Sequence, residues 1–154
     1  MADSFTHLHV HTEFSMLDGA SRLDEMVAKA VQDGQPAIGI ADTGNLFGAL
    51  EFSVLASDAG LQPILGCQID IDMQDGGTAA SNPRNRHGER PSVVLIAMNE
   101  AGYSQLVRFV SRAYLDGASD DTPHICLDWL EASTDGLICL TGSMKGPLDR
   151  AVLA

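Results

Sequence analysis

Three histidines at alternate positions, His7, His9 and His11, stand shortly ahead of Asp18 in the run His7-Leu8-His9-Val10-His11-Thr12-Glu13-Phe14-Ser15-Met16-Leu17-Asp18. In an extended strand, alternate side chains share a face. The three imidazoles are therefore expected on one side, with Leu8 and Val10 packed on the other. Imidazole is the commonest metal ligand, and two at neighbouring same-face positions can share one ion. A carboxylate from the loop after the strand could complete the set. The plainer alternative is a row of surface histidines. Asp18 and the Gly19-Ala20 turn behind it favour the cluster.

Such a cluster needs a frame, and the chain predicts one. Residues 6–10 read as a first strand. Ser21 with Asp24 three residues on resembles a capping box, and Leu23, Met26, Val27, Ala30 and Val31 follow at helical spacing up to Gly34. Residues 37–41 form a short apolar strand ending at Asp42. A helix over 46–59 closes at Gly60, and 63–71 is a third strand. Residues 74–91 carry turn-forming types without apolar periodicity and predict an exposed, flexible loop. A buried strand over 93–98 precedes a helix that Asn99 caps and that runs to about Leu115. A short helix over 127–131, a fifth strand over 137–141 and a last helix begun at Pro147 complete the chain. Strands alternating with helices predict parallel βαβ units whose site collects at the C-terminal strand ends. His9, His11, Asp42, Gln68 and Ser143 all lie at or near such ends.

The bulk numbers narrow the function classes. With 154 residues, 45% apolar and 19% charged, the chain reads as one globular domain spanning 1–154. A net charge of −12 repels phosphate backbones, so no direct grip on nucleic acid is expected. Cys67, Cys126 and Cys139 form no metal-binding or disulfide spacing, which fits a reducing cytoplasm. No signal pattern and no membrane-length apolar run is present.

On these residues the chain resembles the PHP (polymerase and histidinol phosphatase) domain of bacterial replicative polymerase III α subunits. The resemblance follows the family's order through His7 to Ala20, through Ile40-Ala41-Asp42-Thr43-Gly44-Asn45-Leu46-Phe47-Gly48, and through Gln62-Pro63-Ile64-Leu65-Gly66-Cys67. It continues through Leu95-Ile96-Ala97-Met98-Asn99-Glu100-Ala101-Gly102-Tyr103 and Leu137-Ile138-Cys139-Leu140-Thr141-Gly142-Ser143. It implies an α/β fold: a partial, distorted (β/α)7 barrel with parallel strands inside, helices outside and metal ions at the C-terminal mouth. Fewer strands are readable than that fold needs to close, so the single PHP domain is expected to be C-terminally incomplete, leaving Val94, Ile96, Ile138 and Leu140 short of cover.

The resemblance implies metal-ligand roles for His9, His11, Asp18 and Asp42. Four positions depart from the family's metal-binding form: Thr43 and Ser92 replace histidines, Gln68 replaces a glutamate and Ser143 replaces a cysteine. Amide and hydroxyl groups are far poorer ligands than imidazole, carboxylate or thiolate. A multi-metal hydrolase must hold its ions close together to activate water. The expectation is therefore no catalytic residue and no tightly bound cofactor, with at most one weakly held zinc, manganese or magnesium ion. The implied role is structural: bracing the remaining polymerase domains and docking the proofreading exonuclease subunit. Nucleotide addition belongs to the family's later domains. The rival is a residual metal-dependent phosphoesterase, a pyrophosphatase or 3'-5' exonuclease working through His9, His11, Asp18 and Asp42. Plainer roles are expected elsewhere: solvated His87 and His124, core positions for Cys67 and Cys139, a packing role for Trp129, and a wet strand face for Asp70 and Asp72.

Overall fold

The structure is a computed structural model and describes residues 5–73, 90–116, 122–142, 144 and 146–153. Apolar side chains at helical spacing decide which face each helix buries. In α1 (Leu23–Gln32) these are Leu23, Val27 and Ala30, and in α2 (Ala49–Asp58) they are Ala49, Phe52 and Ala56. In α3 (Glu100–Leu115) they are Leu106, Phe109 and Ala113, with Gly102 also buried. The Asn99 side chain accepts the Gly102 N–H at 3.0 Å and starts α3 as expected. The capping box at α1 is absent: Arg22 is the N-cap and makes no side-chain cap bond. Ser21 is held instead by its carbonyl, which accepts the Glu13 N–H at 3.0 Å.

The sheet is mixed, which corrects the expectation of parallel strands. Strand β1 (Ala37–Thr43) runs parallel to β2 (Gln62–Asp72). Strand β3 (Ser92–Ala97) runs antiparallel to β2, and β5 (Leu137–Leu140) antiparallel to β3. Parallel neighbours need a crossover, usually a helix, and no helical period lies between Asp72 and Ser92 in the sequence. Strand β3 therefore returns against β2. Strand β4 (His124–Cys126) pairs parallel with Asp70 to Asp72. It was not expected: His124 opens a strand, and its Nδ1 lies 2.9 Å from the Thr122 carbonyl.

Register sorts the side chains between two faces. Ile38 and Ile40 align with Pro63 and Leu65, and Cys67 and Ile69 align with Leu95 and Val93. This face is covered by α1, α2 and α3 and holds the two larger core clusters. The opposite face holds a smaller cluster of Ala41, Val94 and Ile96, flanked by Ile64 and Leu140. Val94 and Ile96 are closed off, contrary to the expectation, but Ile138 is 44% exposed. Cys139 is exposed too and is no core residue. Two short elements finish the chain, α4 (Leu127–Ala132) and α5 (Pro147–Leu153). Trp129 packs on the core as expected, with the Arg112 guanidinium 3.7 Å above its ring. Ile69 and Ile71 are buried while Asp70 and Asp72 alternate with them, half-buried.

Residues 6–10 do not form a regular strand. The Gly39 N–H donates to the His7 carbonyl and the Ala41 N–H to the Val10 carbonyl. Three residues thus oppose two, and the ladder slips between His7 and Val10. Of the predicted 74–91 loop, 74–89 lie outside the described residues, as do His87 and Ser143. The Pro91 carbonyl accepts the Ile71 N–H at 2.8 Å. No helix among the described residues is long and apolar enough to cross a membrane.

Candidate functional site

The slip in residues 7–10 divides the three histidines. His7 packs its ring edge-on against Phe5. With Val10 it lines a groove of about 420 Å³ against α1 that neither His9 nor His11 borders. His9 and His11 remain together. Their Nε2 atoms are 3.0 Å apart and their ring centroids 4.9 Å apart. One ring nitrogen donates and the other accepts. Desolvation, and then the neighbouring His11, push the His9 pKa down, while Gln68 pulls it up.

Register places Thr43 beside Gln68 and Ser92 beside Asp70, so Thr43, Gln68 and Ser92 all belong to the face away from the helices. Three of the expected site positions thus share one sheet face, all with neutral side chains. Asp18 stays apart. It is exposed, its N–H donates to the Ser15 carbonyl at 3.0 Å, and its carboxylate bonds neither histidine.

Asp42 is 2% exposed and aligns with Cys67 on the helix-covered face. Its Oδ1 accepts the Thr12 N–H at 2.7 Å and the Ser15 hydroxyl at 2.6 Å, and its Oδ2 accepts the Thr12 hydroxyl at 2.7 Å. Thr12 and Ser15 were not singled out in the sequence. Small hydroxyl residues in a turn signal local backbone bonds, not a carboxylate on a distant strand, so nothing in the spacing points to Asp42. The Cys67 thiol donates to the Asp42 carbonyl at 3.4 Å. Burial, the largest cause, pushes that thiol up to about 12, so it is no nucleophile near neutrality.

The donor set does not fit a metal cluster. Two imidazoles and an amide face one another, Asp42 is committed to the 12–15 turn, and no group of three His, Cys, Asp or Glu capable of holding an ion forms among the described residues.

Comparison with known proteins agrees with the motif reading. The profile of the PHP domain family matches residues 7–154. A DNA polymerase III subunit alpha from Caulobacter vibrioides is 42% identical over 147 residues, covering 94% of this chain and 12% of that protein. One from Treponema pallidum is 35% identical over 150 residues, covering 97% and 13%. The chain thus spans about an eighth of the length of these relatives. Among solved structures, an amidohydrolase from Chromobacterium violaceum with bound sulfate and no metal aligns with a TM-score of 0.50 at 17% identity, covering 70% of this chain and 32% of that one. That likeness concerns the fold alone.

Proposed function

The chain belongs to the PHP domain family, and from that premise we propose that it is the PHP module of a bacterial replicative DNA polymerase III α subunit, acting in the cytoplasm as a non-catalytic part of that enzyme. The observation that carries this reading is the match of nearly the whole chain to about an eighth of each polymerase relative. In this role the module braces the other polymerase domains and docks the proofreading exonuclease subunit. The surface is acidic, with a net charge of −12, which suits protein contacts better than contact with a phosphate backbone. The mixed sheet is part of a distorted (β/α)7 barrel. Its mouth, on the face of His9, His11, Thr43, Gln68 and Ser92, is a degenerate metal site holding at most one divalent ion weakly.

One observation favours a second reading, residual phosphoesterase action: His9 and His11 already converge, with Nε2 atoms 3.0 Å apart. The two readings separate in the whole protein. With His9 and His11 both changed to Ala, primer extension and co-elution with the exonuclease subunit should match wild type. Neither form should release phosphate from pyrophosphate or excise DNA 3' ends. Phosphate release or excision by wild type that disappears in the double variant would overturn the structural reading.

A further inference from the structure

Asp42 stands where the family resemblance puts a metal ligand, yet its surroundings give it different work. It aligns with Cys67 on the helix-covered face, whereas Thr43 aligns with Gln68 on the face where the histidine pair sits. All three of its donors come from one short turn, Thr12 and Ser15. Those donors are themselves held. The Thr12 hydroxyl accepts the Phe14 N–H at 3.2 Å, and the Ser15 hydroxyl accepts the Thr43 N–H at 3.0 Å. Thr12 and Ser15 are fully buried, so no solvent competes for these bonds.

The turn built on this anchor is strained. Leu17 has φ +78°, a left-handed conformation that a branched side chain adopts only when its surroundings impose it. The Ser15 carbonyl accepts both the Asp18 and the Gly19 N–H, at 3.0 and 2.8 Å, so the strained residue hangs directly from an Asp42 partner. On the other side, Thr12 follows His11, and the bond from its N–H to Asp42 continues the one that Ala41 makes to Val10.

We infer that Asp42 is a positioning residue rather than a metal ligand: its carboxylate fixes the chain leaving His11 and holds the 12–19 turn without any ion. Three directed donors take three of the carboxylate's lone-pair sites, and at 2% exposure the one left on Oδ2 is closed to a solvated ion. The charge of a buried carboxylate is instead spread over three directed donors. This deepens the degenerate-site reading and rests on it. It is tested through turn order, not replication or phosphate release, so the two can fail separately.

The test is hydrogen–deuterium exchange of peptides covering 12–19 in the whole protein. Asp42→Ala and Thr12→Val should each speed exchange there by roughly tenfold, the loss expected when a buried partner goes unsatisfied. Thr12→Ser, which keeps the hydroxyl, should restore protection. EDTA, MnCl2 and ZnCl2 should leave the wild-type rate unchanged. Should Asp42→Ala fail to fold, Ser15→Ala removes a single donor and should still accelerate exchange. Unchanged exchange in Asp42→Ala or Ser15→Ala would overturn the inference. So would protection that appears only with added metal and vanishes in Asp42→Asn.

Discussion

His9 and His11 share a hydrogen bond between their Nε2 atoms at 3.0 Å, with no carboxylate between them. The bond requires at least one neutral ring, because two imidazolium groups both donate and repel. Desolvation and the charge of His11 accordingly lower the His9 pKa from the ordinary 6.5. A histidine held neutral in the fold binds fewer protons than in the unfolded chain. Its contribution is intact above 6.5 and is lost as the pH falls through the window just below it. Thermal midpoints should therefore decline between neutral pH and pH 5 by more in wild type than in His9→Gln. Equal declines in the two would show that the pair does not drive the loss.

Gly102 is fixed by a collision. A Cβ there would strike the carbonyl of Gly136, which itself has φ +75° and lies under the Asn99 side chain. The Gly136 carbonyl also accepts the Met98 N–H at 2.8 Å, so it cannot retreat without breaking the start of α3. Gly102→Ala should cost roughly 3 kcal/mol, far above the usual small gain from replacing a helix glycine. Denaturant unfolding reads this directly, and a neutral or stabilising result would refute the contact.

The three thiols should label in an order set by access. Cys67 is fully buried, donates to the Asp42 carbonyl and has its pKa raised to about 12. Cys139 is raised as well, by desolvation, but lies exposed on β5. Under native conditions a disulfide reagent at pH 8 should modify Cys139 first, and Cys67 only on unfolding. Peptide mapping after partial labelling distinguishes the sites. Early modification of Cys67 would contradict the packing beneath Asp42.

Local pattern and long-range placement were unequally legible in the sequence. The apolar run Ala37 to Ala41 and the cap at Asn99 were readable because each is a local signal. The direction of β3 was not, because a continuous apolar run reads the same forwards and backwards. The absence of a helical period in the sequence between Asp72 and Ser92 is the clue to it. The slip at residues 7–10 was invisible for a similar reason: strict alternation predicts one face for His7, His9 and His11, and only the observed hydrogen bonds to Gly39 and Ala41 reveal the extra residue. The site was half legible. The convergence of His9 and His11 and the shared sheet face of Thr43, Gln68 and Ser92 follow from positions named in the sequence. The role of Asp42 depends on Thr12 and Ser15 folding over it, a long-range fact that no motif spacing encodes.

The face away from the helices gives the last prediction, because its apolar residues on β3 and β5 differ in cover. Val94 is 1% exposed in the middle of β3, while Ile138 on β5 is 44% exposed, although Ile138 sits directly opposite buried Ile96. Strand β5 pairs on one side only among the described residues, so part of Ile138 faces solvent whatever its partner does. Truncating Val94 to Ala removes buried methyls and leaves a cavity, costing about 2–3 kcal/mol. Ile138→Thr keeps the β-branched shape at a half-open position and should cost under about 1 kcal/mol. Urea unfolding of both variants against wild type measures the contrast. Equal losses at the two sites would mean that Ile138 is covered in solution, by another chain or another part of the same one. A concentration-dependent unfolding midpoint would identify association between chains as the source of that cover.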